Sequence, residues 1–216
     1  MDGGSLVANR FVYTFAKTSF LMPYDTEVLN HLIRNRRSVF PKQFDAGKKI
    51  PAEIIQQIIE NATWAPTHGM TEPWHFTVFS GTGLEKLAQF QSELYKAEAG
   101  AKYKEDKYLK LKTQPLLASH IIAIGMKRSG ETKIPEIEEI EAVACAVQNI
   151  YLSTTAYGFG GYWTTGGITY MDKAKPFFGL SHEDKLLGFF YLGHIAIPAV
   201  AGVRKPLSEK VIWVDS

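Results

Sequence analysis

The stretch from Glu138 to Tyr157 reads as one long helix with apolar residues on most of its faces. A helix of that kind cannot lie on a solvated surface, so other elements or a second subunit must close around it. Gly158-Phe159-Gly160-Gly161 ends it, because consecutive glycines cap and break a helix. The rest of the chain therefore has to supply layers that cover this element.

Upstream, Ile54, Ile55, Ile58, Ile59 and Ala62 recur at helical spacing behind Ile50-Pro51, with Pro at the first helical position. That helix ends near Trp64, since Pro66 disfavours a helical Ala65. An earlier helix, capped by Asp25 or Thr26, carries Val28, Leu29, Leu32 and Ile33 on one face. It is expected to run through Arg34 to Ser38 until Pro41 stops it. Trp74 to Phe79 alternates and is rich in aromatic and β-branched residues, a strand pattern. Ala118 to Met126, Tyr162 to Thr165 and Lys185 to Gly193 read as further extended segments, and Val211 to Val214 as a terminal strand able to pair with a partner's sheet. Leu84 to Lys112 reads as two exposed, charged helices interrupted at Gly100, and Lys173 to Gly179 as a short helix ending in glycine. Asp184 is not expected to cap anything. Helices with a few scattered strands imply an α+β or three-layer α/β class.

Composition narrows the function classes. Twenty-four Lys and Arg against 22 Asp and Glu give a net charge of +2, too small for a dedicated nucleic-acid binder. No stretch is long and apolar enough to span a membrane, and a cytoplasmic protein is expected. Cys145 is the one cysteine; inside the run Ala142 to Val147 it is expected to be a buried small hydrophobe. His120, His182 and His194 stand apart from one another, which gives no metal-ligand spacing. Residues 1–24 read as an N-terminal arm with an aromatic segment, Phe11 to Phe15, and residues 25–216 as one domain.

Four segments carry polar chemistry. Arg36-Arg37-Ser38 offers two guanidiniums and a hydroxyl to a phosphate, although alone it is equally a solvated helix end. Ala65 to Trp74, with His68, is a Pro- and Gly-rich helix-to-strand loop of the kind that forms sites. Gly158 to Gly167 lets backbone approach a flat ligand, but it follows a helix and so is not a dinucleotide fingerprint. Arg204-Lys205 is a basic turn. No Ser-His-Asp elbow or paired acid–base carboxylates are present.

The order of these segments is more specific than any one of them. Arg36-Arg37-Ser38, Ala65-Pro66 with Pro73-Trp74, Gly158 to Trp163, Leu192-Gly193 and Arg204 to Leu207 together resemble the nitroreductase family, and the stretch Ala65 to Trp74 resembles its small single-domain branch. The resemblance implies an α+β, nitroreductase-like three-layer α/β/α sandwich and an obligate homodimer with two flavin mononucleotide (FMN) sites at its interface. It implies electron transfer from NAD(P)H to a nitroaromatic, quinone or related small acceptor. Arg36 and Ser38 would reach the FMN phosphate and ribityl chain, with Arg37 nearby and Arg204 as a further cation. Trp163, Thr164 and Thr165 would lie along the isoalloxazine edge, and Trp64 and His68 would approach the flavin from the other subunit. His68 is the only side chain with a possible acid–base part.

This chain departs from the family pattern at three places. Met70 stands where many members carry Asn, Glu72 replaces Gln before Pro-Trp, and Phe40 stands where Arg or Lys is common. These changes leave open a second reading, an FMN storage, sensing or flavin-processing protein with little NAD(P)H oxidation. Lys42 is a candidate to compensate for the missing cation at Phe40.

Overall fold

The computed structural model describes residues 24–130 and 133–214. The expected arm, residues 1–22, lies outside the described residues. Five α-helices and four strands alternate irregularly: α1 (Thr26–Asn35), α2 (Ala52–Thr63), β1 (Trp74–Ser80), α3 (Thr82–Glu98), α4 (Glu105–Thr113), β2 (His120–Met126), α5 (Glu136–Ala156), β3 (Gly160–Thr164) and β4 (Lys185–Gly193), with short 3-10 turns between them.

The strands form one antiparallel sheet in the order β1-β2-β4-β3. Every residue of β2 is buried, as expected of a central strand covered on both faces. Side chains alternate across it. Ile122 and Ile124 join the α2–α5 side with Phe190 and Leu192 of β4. Ile121 and Ala123 join the opposite side with Leu84, Leu87 and Tyr95 of α3. Two cores thus sandwich the sheet, which confirms the three-layer α/β/α expectation. β2 and β4 shift register between Ile124 and Gly125. Opposite that bulge sits Gly188, at φ 118°, where an added Cβ would lie 2.3 Å from the Thr164 carbonyl oxygen. Only glycine lets β3 close onto β4 here.

The helical stripes form where the periodicity places them, with refinements. Asp25 caps α1 by accepting the amides of Glu27 and Val28. α1 ends at Asn35, not at Pro41, because the chain turns extended at Arg36 (ψ 126°) to run beside β3; Pro41 opens a 3-10 turn instead. Pro51 is the N-cap of α2, one position before its first helical residue. α3 is not an exposed helix: Leu84, Leu87, Ala88, Gln91, Ser92 and Tyr95 pack inward on the sheet, and of these two helices α4 alone has no buried residue. The segment Asp172–Phe178 is a 3-10 turn closed by left-handed Gly179. Asp184 does hold a turn, accepting the amides of Ser181 and Arg128 at 2.6 and 2.9 Å.

α5 spans the back of the sheet. Val143, Ala146, Val147 and Ile150 are buried against it. The opposite stripe, Ile137, Glu141, Ala144, Cys145 and Gln148, is exposed in the single chain. Cys145 is therefore not a buried hydrophobe; helical geometry puts it on the uncovered side of a helix apolar on both. α1 buries no residue, and Val28, Leu29 and Ile33 lie open beside that stripe. The expected terminal strand at Val211 to Val214 does not form within the chain. Ile212 and Trp213 are 90% and 80% exposed, since this segment meets neither edge of the sheet.

Candidate functional site

The first polar segment and the glycine-rich segment, 120 residues apart in sequence, lie side by side. Past the end of α1 the backbone pairs with β3 through a parallel bridge between Ser38 and Gly161, and the Val39 amide donates to the Gly161 carbonyl at 2.9 Å. Tyr151 of α5 ties the two together. Its hydroxyl accepts the Trp163 amide at 2.8 Å and shares a hydrogen bond with Ser38 Oγ at 3.2 Å. Its ring carries the Arg36 guanidinium 4.7 Å from the centroid, a cation–π contact that aims the charge without neutralising it. Tyr151 was not visible as a site residue in the sequence. It sits in a run of apolar helix positions, and its hydroxyl gains a role only when Ser38 and Trp163 converge on it.

Arg36 and Arg37 open onto a cleft of about 860 Å³, within the ~300–1,000 Å³ typical of small-molecule sites. Arg34 and Arg204 line the same cleft with Asn35 and Gln148, and no Asp or Glu does. Arg37 Nη1 donates to the carbonyls of Arg34 and Arg36 at 2.6 and 2.8 Å, and Arg204 Nη1 to that of Val203 at 2.9 Å. Among the described residues none of the four guanidiniums has a carboxylate partner. Four cations held together without a counter-charge repel one another; a bound anion with several oxygens relieves that repulsion and takes the guanidinium forks.

The glycine-rich segment supplies the other flank. Trp163 Nε1 donates to the Leu187 carbonyl at 3.1 Å, so the indole is fixed against β4 and offers a surface, not a donor. The Gly166 amide donates to Thr164 Oγ1 at 3.3 Å, which tightens the turn after β3, and Thr165 is exposed there. Phe40, in the position where the family favours a cation, packs on Tyr162 with ring centroids 4.7 Å apart.

Trp64, His68 and Met70 form a separate group. Trp64 follows α2 and is 82% exposed. His68 Nδ1 meets Glu138 Oε2 at 2.5 Å near the start of α5. Glu138 and Gln148 are ten positions apart on that helix, or about 15 Å at 1.5 Å per residue, so one chain does not bring His68 to the arginine cleft. Met70 and Glu72 adopt φ 54° and 44°, a left-handed backbone that non-glycine residues enter at a cost of about 1–3 kcal/mol. Among the described residues no three His, Cys, Asp or Glu side chains gather as metal ligands, and no helix is long and apolar enough to cross a membrane.

Comparison with known proteins places this architecture. The sequence profile of the Nitroreductase family matches residues 33–194. YdjA of Escherichia coli (strain K12), which carries the name NAD(P)H nitroreductase on a provisional basis, is 32% identical over 155 residues, covering 71% of this chain and 82% of YdjA. A nitroreductase-like family protein of Bacillus cereus superposes with a TM-score of 0.74 at 23% identity, over 87% of this chain and 96% of its own. The FMN-dependent nitroreductase NfnB of Mycobacterium smegmatis, solved in complex with NADPH, superposes with a TM-score of 0.65 at 20% identity, over 88% of this chain and 99% of its own.

Proposed function

The chain belongs to the nitroreductase family, and from that premise we propose that it is a homodimeric FMN oxidoreductase passing hydride from NAD(P)H to a small nitroaromatic, quinone or related acceptor. The observation that carries the proposal is the acid-free cleft lined by Arg34, Arg36, Arg37 and Arg204, locked by Tyr151 to the backbone of Trp163. That arrangement fits FMN at both ends: guanidiniums and Ser38 Oγ for the phosphate and ribityl chain, and the Trp163 to Thr165 backbone turn for the edge of a flat ring. FMN held there would supply the redox chemistry, hydride exchange between nicotinamide and acceptor. The protein supplies position and electrostatics, so no acid–base pair is required of its side chains.

The second subunit follows from what the single chain leaves open. The outer stripe of α5, the apolar residues of α1 and the segment around Trp213 are each exposed, and exposed apolar surface of this kind marks an interaction site. A twofold partner covering them would present its own Trp64, His68 and Met70 to the cleft. Glu138 would then hold His68 Nδ1 and leave Nε2 directed at the flavin or the acceptor.

An absorption spectrum of the natively purified protein, followed by anaerobic NADPH and then NADH, tests the reading. A flavin spectrum that bleaches with either donor supports it and identifies the donor. A flavin that stays yellow favours storage or processing of FMN, the reading that Phe40 and Met70 leave open. A colourless protein that takes up no FMN overturns both.

A further inference from the structure

A second cavity of about 250 Å³ lies between α4 and the β3–β4 edge of the sheet. It is smaller than the ~300–1,000 Å³ that drug-sized ligands require, so its occupant is a single ring or less. Its floor is aromatic, from Tyr162, Phe189 and Tyr191, and its rim is cationic, from Lys107 and Lys110. No Asp or Glu lines it. Two nearby carboxylates are engaged elsewhere: Glu105 accepts the Tyr103 hydroxyl at 2.5 Å and Glu93 that of Tyr108 at 2.8 Å. Lys107 and Lys110 share one helix face. Lys107 Nζ rests 4.6 Å from the centroid of the Tyr95 ring, and neither lysine has an ion-pair partner among the described residues. At the base, Gln91 is buried with its amide donating to the Leu111 carbonyl at 2.7 Å. Tyr191 lines the cavity beside it, and burial raises the pKa of its hydroxyl.

The mouth of the cavity is formed by Thr164, Gly166 and Gly167, adjoining the turn assigned above to the flavin edge. Gly167, at φ 71°, is the contact that brings α4 in; a Cβ there would lie 2.8 Å from Leu111 Cδ2.

We propose that this cavity is the acceptor subsite and that it selects small aromatic acceptors bearing an anionic substituent, with the ring on Tyr162, Phe189 and Tyr191 and the anion at Lys107 and Lys110. The inference rests on the flavin reading for its place beside the reacting ring, but not for its binding chemistry. The test is calorimetric titration of the FMN-loaded protein with benzoate and with benzamide, which share a shape and differ in charge. FMN in the arginine cleft keeps benzoate out of that site. Benzoate is expected to bind about tenfold tighter than benzamide, a gap of about 1.4 kcal/mol. In K107Q/K110Q that ratio should fall to about one with benzamide unchanged. Equal affinities in the parent protein, or a preference that survives in K107Q/K110Q, would overturn the proposal. In turnover, the double substitution should raise KM for 4-nitrobenzoate more than for its neutral methyl ester. If the protein takes up no FMN, the functional reading fails separately, and the same titrations on the flavin-free parent and variant, with phosphate added to fill the arginine cleft, still decide the cavity.

Discussion

α5 has two apolar sides with different fates. On the inner side Val143, Ala146, Val147 and Ile150 meet Ile122, Ile124 and Phe190, and nothing of that contact reaches water. On the outer side Ala144 and Cys145, flanked by Ile137, face outward beside the bare stripe of α1. Hydrophobicity alone does not tell the two apart. What separates them is whether the same chain has a sheet to place against the helix. The inner side records how this chain folds; the outer side is where the proposed partner would sit, and the arginine cleft reaches it, with Gln148 of the outer stripe on its wall.

Four measurements press on that contrast. The largest effect is expected from Phe190→Ala, which empties the space beneath Tyr151 (ring centroids 4.6 Å apart). Urea unfolding at fixed protein concentration should show a loss of about 3–5 kcal/mol, and a loss under 1 kcal/mol would mean that the inner core is less tightly filled than described. Next, Ala144→Arg places an unpaired charge in the outer stripe. Sedimentation should show the dimer weakened by about 3 kcal/mol, more than a hundredfold, with far-ultraviolet circular dichroism intact. An unchanged dimer would move the interface elsewhere, and a monomeric parent protein would remove it. In the cleft, Arg36→Ala or Arg204→Ala should each weaken FMN binding by about 1.5–3 kcal/mol, the worth of a charged hydrogen bond. Fluorescence titration of FMN reads this directly, and wild-type affinity in both variants would contradict a phosphate in the arginine cleft.

The smallest effect belongs to the inner region. Ser119 Oγ accepts the Ile50 amide at 2.7 Å and so turns its proton toward His120 Nδ1, 2.9 Å away. Burial, with Lys49 adding to it, holds the His120 pKa below the usual histidine range. The unfolded chain then binds this proton more readily than the folded one. Stability is complete above the unfolded value of about 6.5 and declines as pH falls below it toward the folded value. His120→Asn keeps an acceptor for Ser119 but does not titrate, so its melting temperature should drop less than the parent's between pH 7.5 and 5.5. Parallel drops would assign the acid sensitivity to other groups.

The sequence discloses what is periodic and local. The stripe from Ile54 to Ala62 and the strand at β1 reappear where patterning puts them. The misreadings share a cause, which is that pattern records apolarity but not its partner. Cys145 reads as buried because its neighbours are apolar on every side. α3 reads as exposed because its inward stripe includes polar Gln91 and Ser92, whose satisfaction by Leu111 and Gln89 is invisible before folding. Tyr151 was hidden for the same reason. Arg36 and Ser38 reach that phenol across more than a hundred residues of chain, so their meeting with Trp163 on it is not a local pattern.

That phenol also bears on how the site responds to its ligand. With one hydroxyl bonded to both Ser38 and the Trp163 amide, the two ends of the proposed FMN site are set at one spacing by the fold itself. The ordering entropy is spent during folding. FMN should therefore enter a preorganised site without an isomerisation step, whereas Tyr151→Phe would leave the contacts in place and make their spacing a fluctuating quantity.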